Sequence, residues 1–225
     1  MADLKKAVEE KFKADEASGL HRRMDEDKDL DLGKLYNMVD SNNQDVPGIF
    51  EVTTNKPETF LADVLSSLGA TVRQTIVVSA DETVNTSEIE RFQEAAFNAA
   101  NDRLRRQGRP LLDPFFDEQL SVRGRGGARC LFRMKNGVLI PDIIPIDTRF
   151  SAYEADDEEI ALAGYQTIKS KAMVERQYRT YKGNVPADGI KCWDLWDKKV
   201  NEIWLGDTKV DTQPNKDGYV PFVCR

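Results

Sequence analysis

The residues with the most chemical promise are arginines. Between positions 101 and 135, nine basic side chains (Arg103, Arg105, Arg106, Arg109, Arg123, Arg125, Arg129, Arg133 and Lys135) face only four acids. This stretch sits in a 225-residue chain of net charge -7, which lacks a general basic coat for gripping nucleic acid. Locally it could meet phosphate, or the acids of a neighbouring subunit such as those in residues 142–159. A subunit contact or a plain solvated face is favoured over DNA. Arg123, Arg125, Arg129 and Arg133 are the candidate contacts.

Other constellations are weaker. The run Arg123-Gly-Arg-Gly-Gly-Ala-Arg129 has no following Gly-Lys-Ser/Thr and opens no helix after a strand, so it reads as a tight backbone turn rather than a phosphate loop. Asp142 and Asp147 flank Ile-Ile-Pro-Ile and read as turn acids; a metal-dependent nuclease would need them to converge with Glu154 on a cation. Residues 154–159 lack calcium-loop spacing. Cys130, Cys192 and Cys224 are far apart, fit no zinc spacing and suggest a reducing compartment. The single histidine, His21, lies in a charged stretch, which argues against a histidine-based triad or a multi-histidine metal site. No catalytic residue, metal site or cofactor is expected, and the chain reads as a non-enzyme. Trp193, Trp196 and Trp204 are expected to serve packing or an interface. Trp193 and Leu195 share one strand face, Asp194 and Trp196 share the other, and Trp204 is expected across from them.

The elements that must position these residues follow from periodicity. Leu4, Val8 and Phe12 fall on one face of a helix over residues 4–16. The charge-dense residues 15–31 read as a solvated arm, and 40–48 as a polar linker, with order beginning near Ile49 and residues 49–54 extended. A helix starts at Asn55-Lys-Pro-Glu58, with Asn55 as cap and Glu58 completing a capping box. Phe60, Leu61, Val64, Leu65 and Leu68 are predicted to face a core. Thr71–Val78 reads as a strand. Ser87-Glu-Ile-Glu90 is a second capping box, followed by a buried stripe of Ile89, Phe92, Ala96, Ala99 or Ala100, and Leu104. Asp113 is expected to cap a helix with Phe115, Phe116 and Leu120 inside. Asn136-Gly137 between apolar runs predicts a hairpin. Strands follow at 160–167, 192–197, 201–205, 208–210 and 219–223, with a helix at 170–181. The order is helices first, then an antiparallel β-rich meander, which is an α+β fold. Two parts are expected: a mobile arm over 1–44 and a body over 45–225.

No apolar run is long enough to span a membrane, and the first residues lack a signal-peptide core, so a soluble intracellular chain without a membrane partner is expected.

The series Thr53-Thr-Asn-Lys-Pro-Glu-Thr-Phe60, the helix 87–107, Leu120-Ser-Val-Arg-Gly124, the arginine-rich strand 128–134, Ile140-Pro-Asp-Ile-Ile-Pro-Ile-Asp147, Arg149-Phe-Ser-Ala-Tyr-Glu154, Trp193-Asp-Leu-Trp-Asp197 and Tyr219-Val-Pro-Phe-Val223 resembles the portal proteins of tailed bacteriophages. The resemblance spans roughly residues 45–223, in the order and spacing of its motifs. It implies a virion structural protein, the head–tail connector at a capsid vertex, assembled in the host cytoplasm. Such a subunit forms a dodecameric ring with copies of itself, contacts the major capsid protein, docks the terminase and passes double-stranded DNA during packaging and genome ejection. Portal proteins are longer, so this chain is expected to correspond to their outer wing-like body, ending before stem and clip. An acidic protein suits a DNA passage because it does not hold the phosphates. The alternatives are a stand-alone capsid or head–tail adaptor module and, third, the metal-dependent nuclease.

Overall fold

The computed structural model describes residues 3–34, 38–42, 44, 46–49, 54–71, 74–81 and 83–224. Among them, helices precede two antiparallel sheets, the α+β arrangement expected from the sequence. The chain divides into two compact units, one of Met1–His21, Gly127–Cys130 and Ile146–Arg225, the other of Arg22–Gly126 and Leu131–Pro145.

In the first unit, helix α1 (Leu4–Ala17) begins at Asp3, whose carboxylate accepts the Lys5 N–H at 3.2 Å. The predicted face of Leu4, Val8 and Phe12 is the one it buries. The sheet of this unit has strands β3 (Ser151–Ala155), β4 (Ile160–Lys169), β5 (Ile190–Asp197), β6 (Val200–Leu205) and β7 (Thr208–Pro214), paired antiparallel in chain order. The alternation in Cys192-Trp-Asp-Leu-Trp sends Trp193 and Leu195 to the face that α1 covers, where they join Leu4, Val8 and Ala152 in one core. Gly164 makes this close approach possible. A Cβ there would stand 2.6 Å from Val8 Cγ1 and 2.7 Å from Leu195 Cδ2. On the opposite face, α6 (Lys171–Gln177) and the residues after it pack Val174, Tyr178 and Tyr181 onto Cys192, Leu205, Ile203 and Val210. Helix α6 stops well short of the expected residue 181.

The turn between β5 and β6 is fixed by Asp197, whose carboxylate accepts the N–H groups of Lys199 and Val200, both at 2.6 Å. The loop between β3 and β4 is held similarly. Amide N–H donors from Glu159 (2.8 Å) and Glu158 (3.0 Å), followed by the Lys198 ammonium (3.2 Å), keep the Asp156 carboxyl below its ordinary value of 3.8. Because the folded value lies below the unfolded one, this carboxylate's contribution is complete above about pH 4 and is lost as pH falls through the lowered value. Lys198→Met is expected to move the Asp156 midpoint up toward 3.8, read by NMR titration.

In the second unit, α2 (Leu20–Asp31, with Arg22 onward in this unit) occupies the stretch expected as a mobile arm. Its charges are matched from α5 (Leu112–Arg123): Lys28 bridges Asp31 (2.6 Å) and Glu118 (2.7 Å), and Arg123 reaches Met24 O and Asp25. Met24 is buried. A segment that looks solvated by composition is thus folded because its charge partners lie about a hundred positions away. Helix α3 (Lys56–Gly69) carries Pro57 in its first turn, as predicted, but Asn55 makes no side-chain cap bond. None of its side chains is fully buried: Leu61, Val64 and Leu65 are half-buried, with α3 lying against α5, while Phe60 is 71% exposed, so the predicted core face is covered only in part.

Of the strand expected at 71–78, the described residues form none. Residues 72 and 73 lie outside the described residues. Residues 74–78 have no strand partner, and the Val77 N–H instead donates to Glu90 Oε1 at 2.9 Å. That bond occupies the side chain expected to close a capping box. Helix α4 (Thr86–Arg106) buries Ala96, Ala100 and Leu104, while Ile89 and Phe92 stay exposed, with Phe92 against Phe132 at a 5.7 Å ring separation. Helix α5 is capped by its neighbour and not by Asp113: Asn101 Oδ1 accepts the Leu112 N–H at 2.9 Å. Leu112 and Val122 are buried, but Leu120 is exposed. The expected extended segment 49–54 falls mostly on residues 50–53, outside the described residues.

Strands β1 (Gly127–Lys135) and β2 (Val138–Ile146) meet at the predicted Asn136-Gly137 turn. Both turn residues have positive φ (52° and 76°), the conformation that this residue pair tolerates best. Gly127–Arg129 pair with β8 (Phe222–Cys224), giving the sheet order β2-β1-β8. The strand expected at 219–223 begins only at Phe222.

Candidate functional site

The four candidate arginines have different fates. Arg123, in the last turn of α5, is almost wholly buried; its Nη1 donates to Met24 O at 2.7 Å and Asp25 Oδ1 at 3.2 Å. Arg125 is half-buried in the turn after α5. Arg129, on β1, forms an ion pair with Asp194 of β5, both side chains largely shielded from water. Arg133, further along β1, binds Asp142 Oδ2 through Nε at 3.1 Å but keeps 58% of its side chain exposed. Arg103 takes the other oxygen of Asp142. The local positive excess is therefore matched by acids 39, 65 and 98 residues away in sequence. Arg133 and Lys135 of the hairpin, with the exposed Arg105 and Arg106 of α4 and Arg109 just after it, are what this stretch presents outward.

Asp194 is a hub that sequence reasoning did not single out. Besides Arg129, its carboxylate accepts Trp196 Nε1–H at 2.7 Å and Asn201 Nδ2–H at 2.8 Å. Trp193 and Trp204 are cross-strand partners, as expected. Trp193 is buried and meets the edge of the Phe12 ring at 5.5 Å. Trp196 is buried beside Asp194. Trp204 is only half-buried. Its indole N–H donates to Glu202 at 2.9 Å, and the ammonium groups of Lys5 and Lys209 stand 4.9 and 5.5 Å from its ring.

The acids considered for a cation are otherwise engaged. Asp142 is buried between Arg103 and Arg133, and Asp147 caps the 3-10 turn Thr148–Phe150 by accepting the Arg149 N–H at 2.9 Å. Glu154 is exposed on β3. Among the described residues, no group of three or more His, Cys, Asp or Glu could hold a metal ion. His21 is buried with its ring 4.5 Å from Phe12. None of the three cysteines is in a disulfide, and burial pushes the thiols of Cys130 and Cys192 up from the ordinary value. No described helix is long and apolar enough to cross a membrane.

Two surfaces remain. In the first unit, a groove of about 640 Å³ runs beside α1 over β6 and β7. Leu4, Ala7, Leu162, Val200 and Trp204 supply its apolar lining, and its charges balance, three lysines (Lys198, Lys199 and Lys209) against three acids (Asp3, Asp197 and Glu202). In the second unit, Phe60 of α3, Ile76 and Val78 (87% exposed) present apolar side chains to solvent. Amphipathicity marked α3 in the sequence; that α5 covers it only in part is a tertiary fact. No protein-family model matches the chain, and no curated protein matches it.

Proposed function

We propose that the chain is the wing-like α+β body of a bacteriophage portal subunit, a structural component of the viral capsid that works by assembly and passage, without bond chemistry. The observation that carries this reading is the ordered run of motifs from Asn55-Lys-Pro through Ile140-Pro-Asp-Ile-Ile-Pro-Ile-Asp147 to Tyr219-Val-Pro-Phe-Val223, laid out in a chain whose helices precede a β meander. The exposed apolar side chains of the second unit support a protein that assembles, since such surfaces mark interaction sites. The net charge of -7 suits a ring through which double-stranded DNA moves without being held. In this reading the partners are further copies of the chain, the major capsid protein and the terminase, at one vertex of the virion.

The test is the solution mass of the purified chain by light scattering across a concentration series, with particles imaged by negative-stain microscopy. Rings, or a mass that climbs toward a closed oligomer, are the expected result. A monomer at every concentration removes ring assembly by this chain and leaves the stand-alone adaptor.

A further inference from the structure

The fold answers some of its charges and leaves others open. In the second unit, the end of α4 and the β1–β2 hairpin form one basic ledge: Arg103 and Arg133 share the buried Asp142, and the Arg109 guanidinium donates to Pro145 O of β2 at 3.4 Å. Only two acids answer this ledge. Asp142 is taken by Arg103 and Arg133, and Asp102 by Arg105 at 2.8 Å. Arg106 donates to the backbone carbonyl of Asp102, Arg109 to that of Pro145, and Lys135 is exposed two residues beyond Arg133. Among the described residues, Arg106, Arg109 and Lys135 pair with no carboxylate. At the same end of the hairpin, Met134 and Val138 are 67% and 62% exposed.

The first unit has the opposite excess. Five acids stand within residues 154–159, on β3 and the loop to β4, and all are exposed. Lys198 answers two of them, Asp156 at 3.2 Å and Glu159 at 2.7 Å. Glu154, Asp157 and Glu158 meet no cation among the described residues. The loop has a fixed shape, because the Asp156 carboxylate accepts the N–H groups of Glu158 and Glu159. A single exposed ion pair contributes little, but several made together between preformed surfaces act as a network. A nucleic acid would take the cations and leave the acids unanswered, against a net charge of -7. A second copy of the chain answers both sets at once.

From this we infer that the basic ledge of one copy docks on the β3–β4 loop of a second copy. Arg106, Arg109 and Lys135 face Glu154, Asp157 and Glu158, and the contact covers Met134 and Val138. It joins two different surfaces and is therefore head-to-tail. It rests on the self-assembly proposed above and names the surfaces that produce it.

Charge reversal in the full chain tests this contact. Arg109→Glu with Lys135→Glu reverses the ledge; Asp157→Lys with Glu158→Lys reverses the loop. All four side chains are exposed and none is in an ion pair among the described residues, so far-ultraviolet circular dichroism should not change. Each double variant is expected to weaken self-association by at least about tenfold in light scattering at low salt. The chain carrying all four substitutions should associate again, because its reversed ledge meets its reversed loop. In an equal mixture of unlabelled and heavy-nitrogen-labelled unaltered chain, a zero-length carbodiimide should join Lys135 to Asp157 or Glu158 in mixed-isotope pairs, located by mass spectrometry. If the unaltered chain associates but the double variants associate equally well, or the fourfold variant stays as weak as they are, or mixed-isotope pairs at Lys135 are missing, this contact is wrong and self-assembly stands. Retention of a double-stranded DNA fragment that the ledge reversal alone abolishes, with self-association untouched, assigns the ledge to phosphate and overturns the contact in the same way. An unaltered chain that is monomeric at every concentration overturns both.

Discussion

An Asp194→Ala chain is expected to lose about 3–5 kcal/mol of stability, the range for removing one partner of a shielded ion pair. One carboxylate serves three donors: the Arg129 guanidinium, the Trp196 indole N–H and the Asn201 amide. Truncation deprives Arg129 of that counter-charge and leaves two neutral donors short of an acceptor, each costing about 1–3 kcal/mol where water cannot replace it. Urea unfolding followed by tryptophan fluorescence reads this directly, since Trp193, Trp196 and Trp204 all belong to the first unit. Asp194→Asn keeps one carbonyl acceptor while losing the charge, and should fall between the two. The pair Arg129→Met with Asp194→Leu should recover much of the loss, because it removes both charges together. If Asp194→Ala melts within about 0.5 kcal/mol of the unaltered chain, as ordinary surface substitutions do, the hub is not holding the sheet.

A Gly164→Ala substitution should displace α1. Its new methyl would lie 2.6 Å from Val8 and 2.7 Å from Leu195, both fully buried, and neither position leaves room for retreat. Overpacking of this kind costs about 1–3 kcal/mol. The cost should concentrate at the α1–sheet contact, so Trp193, which meets Phe12 of α1, should report it as a red-shifted emission before global unfolding. Adding Val8→Ala removes the clashing methyl and should restore the emission at least in part. A chain in which Gly164→Ala is silent and Val8→Ala alone is destabilising would show that α1 is already loose over β4.

What was legible in the sequence shares one property: the partners lie close together along the chain. Helix α1 was visible because Leu4, Val8 and Phe12 repeat at the spacing of one helical face. The β1–β2 hairpin was visible because Asn136-Gly137 satisfies its own turn. The pairing of Trp193 with Trp204 was accessible because one short turn at Asp197 sets the register of the two strands. The misses share the opposite property. Residues 20–31 looked solvated because their ion partners, Glu118 and Arg123, are remote in sequence. Thr71–Val78 looked like a strand from β-branched composition, but a strand also needs a neighbour to bond. Glu90 looked like half of a capping box, but α4 starts at Thr86 with Asn85 as its cap, so Ser87 is already inside the helix and Glu90 is left to accept the Val77 N–H.

The candidate arginines show the same limit at the level of function. Sequence alone established their number, their clustering and their setting in an acidic chain. Tertiary structure decided that Arg123 and Arg129 are held internally while Arg133 remains largely exposed, because that depends on where Asp25, Asp142 and Asp194 arrive in space. Sequence likewise established that α3 is amphipathic and that the strands form a meander. Only the fold left an open groove on the β6–β7 side of the sheet, and only the fold half-buried Leu61, Val64 and Leu65 of α3 while leaving Phe60 exposed, since burial is a property of what stands opposite a side chain and not of the side chain itself.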